Sequence, residues 1–250
     1  MNPTRSLRPA SPLLVLAVLL VAGQARAADV NGRFFEPGSG HKKLLFTNET
    51  ADEREGSVRR QHSVFKDLQG AVLVVEDASY EKGRFQRLTI EHRQLKARGS
   101  VEVKGDRIFF SWTQDGKTRT HDEAARDNLV VGPGVPLWLE QQWPKILKGE
   151  SVEARMLVPD RLESIDFTFV KARELTVGGV EAVAVTMRPS SIFLAAVVEP
   201  ATFVIPKSGQ GVLEVNGRIS PKLKDGDRWK DCSAEGVLSQ VEGERAPAAR

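Results

Sequence analysis

The residues that could do chemistry are few and scattered. His41, His62, His92 and His121 are widely separated, and none forms the H-x-x-x-H or H-x-H spacing that would place two imidazoles on one metal. They read as surface histidines, and no metal ligand set is expected. G-x-S-x-G, which would expose a serine at a strand-to-helix turn for nucleophilic attack, does not occur. The S-x-x-K arrangement of cell-wall acyl-enzymes does occur, at Ser39-Gly40-His41-Lys42 and Ser63-Val64-Phe65-Lys66, and Lys207-Ser208-Gly209 resembles their K-[ST]-G element. Its context fails. The motif serine belongs at a helix start, whereas Ser63 lies in a strand-like stretch that turns at Asp67 to Gly70, and no S-x-N follows. Gly132-Pro133-Gly134 lacks a third glycine, and Pro133 removes an amide that a phosphate cradle would use, so it reads as a rigid turn. Asp225-Gly226-Asp227 is too short for a calcium loop and also reads as a turn. No catalytic residue and no cofactor is expected.

What the chain has in quantity is apolar chemistry. Phe110, Trp112, Leu137, Trp138, Trp143, Phe167, Phe169 and Phe193 are either core or the lining of an apolar cavity suited to a lipid or acyl chain.

Charge narrows the partners. Of the 36 Lys and Arg, three (Arg5, Arg8 and Arg26) lie in the first 27 residues, which contain no acid; the remainder carries 33 bases against 33 acids. A nucleic-acid footprint needs a basic surplus in the folded domain, and here the surplus sits in the leader, so no nucleic acid is expected. Residues 1–27 read as a secretory signal peptide: Arg5 and Arg8, the apolar run Leu13 to Ala22, then Ala25-Arg26-Ala27 as an A-x-A cleavage site. The run is half of what a membrane span needs. The mature chain is expected to start at Ala28 and to be soluble in the periplasm. It would form one antiparallel β domain over 28–240 and a disordered tail over 241–250. The acidic stretch Asn48 to Gly56 is expected to be mobile. Cys232 is the single cysteine, so no intrachain disulfide can form.

Most of the chain alternates with period two. Val152, Ala154, Met156 and Val158 interleave with polar residues, as do Ile108, Phe110 and Trp112, and Ile165, Phe167 and Phe169. The breaks between such runs, including Lys104-Gly105-Asp106, Gln114-Asp115-Gly116-Lys117 and Val177-Gly178-Gly179, are hairpin turns, which makes consecutive strands antiparallel neighbours. The pattern predicts a mainly β fold: a large curved antiparallel sheet, a half barrel of roughly ten strands, enclosing two short helices. The first helical segment is Pro136 to Leu147, broken at Pro144. The second is Ser190 to Val198, with Ile192, Phe193, Ala196 and Val197 available for burial.

From Asp127-Asn128-Leu129-Val130-Val131-Gly132-Pro133-Gly134 through Trp143, Leu147, Gly149-Glu150 and Val158-Pro159-Asp160-Arg161-Leu162-Glu163, the sequence resembles a group of uncharacterised exported proteins of Gram-negative bacteria. The resemblance covers Asp127 to Phe169. More distantly, the pattern resembles the half barrels of periplasmic lipoprotein and lipid carriers. It implies a lipid or lipidated protein as partner and supplies no catalytic residues. The leading expectation is a periplasmic, non-enzymatic protein holding an apolar ligand in its concave face. The alternatives are an envelope scaffold that pairs through edge strands, and an enzyme in which His92, His121 or Ser63 meets carboxylates.

Overall fold

The structure is a computed structural model, and it describes residues 25–241. Residues 1–24 of the leader expected over 1–27, and the tail beyond Val241, lie outside the described residues, while Ala25–Ala27 form the first residues of β1. The chain is mainly β, built as one large open, curved sheet of fifteen strands where roughly ten were expected. They are β1 (Ala25–Phe35), β2 (Leu44–Glu55), β3 (Val58–Lys66), β4 (Val72–Glu81), β5 (Arg84–His92), β6 (Ala97–Lys104), β7 (Arg107–Gln114), β8 (Lys117–Ala124), β9 (Leu129–Val130), β10 (Val152–Val158), β11 (Glu163–Val177), β12 (Val180–Pro189), β13 (Ala201–Pro206), β14 (Glu214–Asp225) and β15 (Arg228–Val241). The order across the sheet runs from β8 down to β1, then from β15 down to β9. Every neighbouring pair is antiparallel except β9 with β10.

Alternation assigns each strand an inner and an outer face. Ile108, Phe110 and Trp112 of β7 are buried on the inner face beside Leu88 of β5 and Val101 of β6. Val152 and Ala154 of β10 register against Phe169 and Phe167 of β11, and all four pack with α1 (Val135–Leu147). Leu157 points to the opposite face of β10, yet it is buried too, with Val131, Leu88, Val101 and Phe110. The inner face of β5–β7 therefore covers the outer face of β9–β10, and the sheet overlaps itself like a scroll. Polar contacts cross the same seam: Arg119 of β8 donates to the Asp160 carbonyl at 3.1 Å, and Arg155 of β10 lies 3.9 Å from Glu123 of β8.

The helix α1 is continuous where a break at Pro144 was expected. Proline 144 lies on the exposed side, so the carbonyl of exposed Glu140 that loses its amide partner can be served by water, and the buried stripe of Leu139, Trp143 and Ile146 is unbroken. The segment Asn48 to Gly56 is not a loose acidic loop. Through Glu55 it belongs to β2, paired on both sides, with Asn48 and Asp52 buried. The second helix, α2 (Ile192–Ala195), is not enclosed by the sheet. It carries no buried residue and projects from the β12–β13 connection.

Gly134 begins α1 at φ −85°, a conformation open to any residue, but a Cβ there would lie 2.1 Å from Tyr80 Oη and 3.0 Å from Cζ. The close approach of β4 to the start of α1 thus depends on a missing side chain. Gly134→Ala is expected to cost about 1–3 kcal/mol through overpacking, and adding Tyr80→Phe should recover part of that loss in thermal unfolding. Equal stability of wild type and Gly134→Ala would contradict this packing.

Candidate functional site

The lumen of the scroll has three zones. The first holds α1: Trp138, Leu139, Trp143 and Ile146 pack against Phe167 and Phe169 of β11, Val183 and Val185 of β12, and Phe203 and Ile205 of β13. The Trp138 ring lies 4.8 Å from Phe169, tilted by 48°, and Phe169 lies 6.3 Å from Phe203. The polar ties of α1 to its surroundings are sparse: Trp143 Nε1 to the Lys207 carbonyl at 3.0 Å, Gln141 Nε2 to the Gly83 carbonyl at 3.3 Å, and Lys171 Nζ to the Leu147 carbonyl at 3.5 Å. The second zone is the cluster of Phe34, Phe46, Phe65, Val74, Cys232 and Ala234. Burial pushes the Cys232 thiol up to about 11, which keeps it protonated and inert at neutral pH.

Between them runs a polar band on the inner faces of β2, β3 and β4. Asn48 Nδ2 donates to Ser63 Oγ at 2.9 Å, and Thr50 Oγ1 lies 3.0 Å from Asn48 Oδ1 and 3.2 Å from Ser63 Oγ. The Arg59 guanidinium grips the nearly buried Asp52 carboxylate, with Nε 2.8 Å from both oxygens. Burial works against the Arg59 charge, but the Asp52 contact outweighs it and the guanidinium is held above its ordinary value. Gln61 Oε1, Tyr80 Oη and Trp138 Nε1 are buried without a hydrogen-bond partner.

At the end of this band that lies toward the β5–β6 and β14–β15 connections, its lower end, the two walls of the lumen bond directly. Strand β14 bulges between Ile219 and Lys222, and its freed groups are met by side chains from β4, β5 and the following 3-10 turn Arg93–Leu95. Ser220 Oγ donates to Glu76 at 2.7 Å, His92 Nε2 lies 3.2 Å from the Ser220 carbonyl, and Gln94 bonds both the amide and the carbonyl of Lys222 at 2.9 Å. The carbonyl partner fixes the hydrogen on His92 Nε2, leaving Nδ1 a buried acceptor without a partner.

The expected lining residues are therefore not one cavity wall. Trp138, Trp143, Phe167 and Phe169 come together with α1, whereas Phe110 and Leu137 belong to the cluster on the far side of β9–β10. Trp112 is buried over Gly99, whose missing side chain its ring replaces, with Cε3 2.5 Å from where a Cβ would lie. Phe193 is a correction: it is exposed, because α2 sits outside the sheet. The seven others are buried. Two clefts of about 400 and 410 Å³ lie elsewhere. One is beside Glu91, Arg93, Lys96 and Arg98, the other across β2–β5 at Glu53, Arg60, His62 and Asp77. Of the groups considered for catalysis, Ser63 accepts from Asn48, His121 is exposed on β8, and His92 contacts a backbone carbonyl. Among the described residues no group of three His, Cys, Asp or Glu could hold a metal ion, and no described helix is long and apolar enough to cross a membrane. The polar band escaped sequence reasoning because Asn48, Thr50, Asp52, Gln61 and Ser63 break the apolar alternation.

No family model and no curated protein matches the chain. Among solved structures, a DUF1089 family protein from Pseudomonas aeruginosa aligns over 81% of this chain and 95% of its own, at 11% identity and a TM-score of 0.26. A porin-like protein from Bacteroides uniformis aligns over 85% and 97%, at 8% identity and a TM-score of 0.22. Likenesses this distant carry no argument about fold or function.

The wall-to-wall bonds give a pH signature. Burial raises the Glu76 pKa above its ordinary 4.5, opposed in part by the Ser220 hydrogen bond. Burial lowers His92 below 6.5; the Ser220 carbonyl opposes this, Lys222 adds to it, and Asp160 opposes it. Folding therefore favours the protonated Glu76, a contribution complete below pH 4.5 and lost as pH rises through the folded-state value. For His92 the neutral form is favoured, and that contribution fades as pH falls below 6.5. Glu76→Gln should remove the first effect: as pH rises from 4.5 the wild-type Tm should fall relative to the variant. Parallel Tm curves would show that Glu76 titrates normally.

Proposed function

We propose that the protein is a non-enzymatic binding protein of the periplasm, working after loss of residues 1–27 as a half barrel that holds an amphipathic ligand with an acyl chain in its concave face. The observation that carries this reading is the make-up of the lumen. Its walls around α1 are apolar, and α1 is held there by side-chain packing with few polar ties. Apolar contact is non-directional, so an acyl chain can take the place of Trp138 and Trp143 against Phe169 and Phe203 with little loss of burial. The same lumen has buried polar groups to spare. Tyr80 Oη and Gln61 Oε1, at the edge of the polar band, offer a donor and an acceptor to a ligand's head group. In this reading α1 is a plug that moves aside, hinged on residues 132–134 and 148–151.

Pairing through sheet edges is the weaker reading. Strand β9 has two residues, and β8 carries Lys117, Arg119, His121, Asp122 and Glu123, the charges by which edge strands avoid addition of another chain.

Native mass spectrometry and solvent extraction of the purified protein test the proposal, together with titration with a long-chain fatty acid and a lysophospholipid. Expected is one acyl-chain ligand per chain and a change in tryptophan emission on binding, because Trp138 and Trp143 must leave their packed sites. A protein that carries no lipid and takes up neither probe at saturation sinks it.

A further inference from the structure

Because neighbouring strands are antiparallel throughout β1–β8 and β10–β15, the connections leave alternately from the two ends of the sheet. The β1–β2, β3–β4, β5–β6, β7–β8, β10–β11, β12–β13 and β14–β15 connections all share one end. Among the described residues nine large apolar side chains are left most exposed, and six of them lie in these connections or within three residues of them: Leu68, Ile192, Phe193, Val197, Leu223 and Trp229. Ile192, Phe193 and Val197 are 85%, 88% and 79% exposed. Their display is built: the Ala195 amide bonds Ser191, the Val198 amide bonds Leu194 at 2.8 Å, and Thr168 Oγ1 meets Ser190 Oγ at 2.8 Å at the base. Leu194 and Val198 turn inward, half-buried.

We propose that this end of the sheet docks on a lipid bilayer, with α2 as the wedge that enters the acyl boundary and Trp229 at the interface beside it. Two observations select a bilayer over a protein partner. The α2 tip exposes roughly 400 Å² of apolar side chain, about half of the ~800 Å² that each side of a stable protein interface covers. The other apolar residues stand on separate turns, so they cannot join it into one complementary patch. A bilayer accepts separate apolar tips without shape complementarity. The charge pattern then sets the kind of bilayer. Counted over the same windows as the apolar residues, this end holds fourteen Lys and Arg against nine Asp and Glu, a basic surplus of five that adds attraction to anionic lipid. The surface stands apart from the lumen, so it does not depend on a ligand being held there.

The test is co-sedimentation of the full chain with phosphatidylcholine vesicles, wild type against Ile192→Ser/Phe193→Ser/Val197→Ser. Far-UV circular dichroism and Tm verify that the variant folds, and these exposed positions give it no reason not to. Wild type is expected to partition at least tenfold more strongly than the variant, with binding strengthened by adding phosphatidylglycerol and weakened, but not abolished, by raising salt. Trp229 emission should shift to the blue on vesicle binding, a shift lost in Trp229→Phe. Equal partition of wild type and variant overturns the proposal. A wild-type dimer in light scattering that the triple variant abolishes, with no vesicle binding, overturns it in favour of self-association. Fatty-acid uptake that survives the triple substitution separates failure here from failure of the lumen reading.

Discussion

Strands β8 and β9 are the two edges of a fifteen-stranded sheet, yet only residues 125–128 join them. Four extended residues reach about 14 Å, so the sheet must curl until its edges are neighbours, and the rest of the molecule follows from that curvature. A flat sheet of this composition would leave the inner faces of β5–β7 in water. Curled past closure, those faces find cover on the outer side of β9–β10, where Leu157 and Val131 complete the cluster of Phe110, Leu88 and Val101. Overlap replaces the hydrogen-bonded seam of a closed barrel. It leaves β8 polar along its length, because β8 lies at the rim of the flap with only Arg119 and Glu123 reaching the strands beneath.

Curvature of this degree also brings opposite walls within reach, and the polar band is the result. A bulge in β14 would strand the backbone groups of Ser220 and Lys222 inside the lumen, each unmade bond costing about 1–3 kcal/mol. His92 and Gln94 supply partners from the far wall, more than a hundred residues away in sequence, and Ser220 in turn bonds the enclosed Glu76. Each of these polar residues is tolerable inside because another answers it. Tyr80 Oη, Gln61 Oε1 and His92 Nδ1, which nothing answers, stand out for that reason.

Which parts of this were legible in the sequence depends on what each strand faces. Where the inner face is apolar, as in β7, β10, β11 and β12, alternation showed the strand and the glycine turns showed its ends. Where the inner face is the polar band, the inward residues of β2 are Phe46, Asn48, Thr50 and Asp52, and hydropathy has no period to report. The same holds for β3, with Arg59, Gln61 and Ser63, and for β8, which is wet on both faces. These strands account for much of the difference between ten and fifteen. The helix α2 misled in the opposite direction. Its apolar residues implied burial, but its connection lies at the end of the sheet, beyond anything that could cover it, and only the topology reveals that.

The two ends of the molecule consequently hold their contents by different means. At the lower end the walls are joined by directional bonds of Ser220 to Glu76 and His92 and of Lys222 to Gln94, and each partner orphaned by breaking one would remain buried. Toward the other end α1 is held by dispersion and burial, which impose no register and can be exchanged for any apolar body of similar volume. A scroll pinned at one end and packed at the other has one place where its interior can be remade without breaking its walls, and that place is α1. The aromatic residues first suspected of lining a cavity therefore keep their relevance in an altered form. Trp138 and Trp143 fill the lumen from a helix that has little polar attachment to it, against Phe167 and Phe169 of β11, so the capacity to hold a ligand would reside in the ease of moving α1.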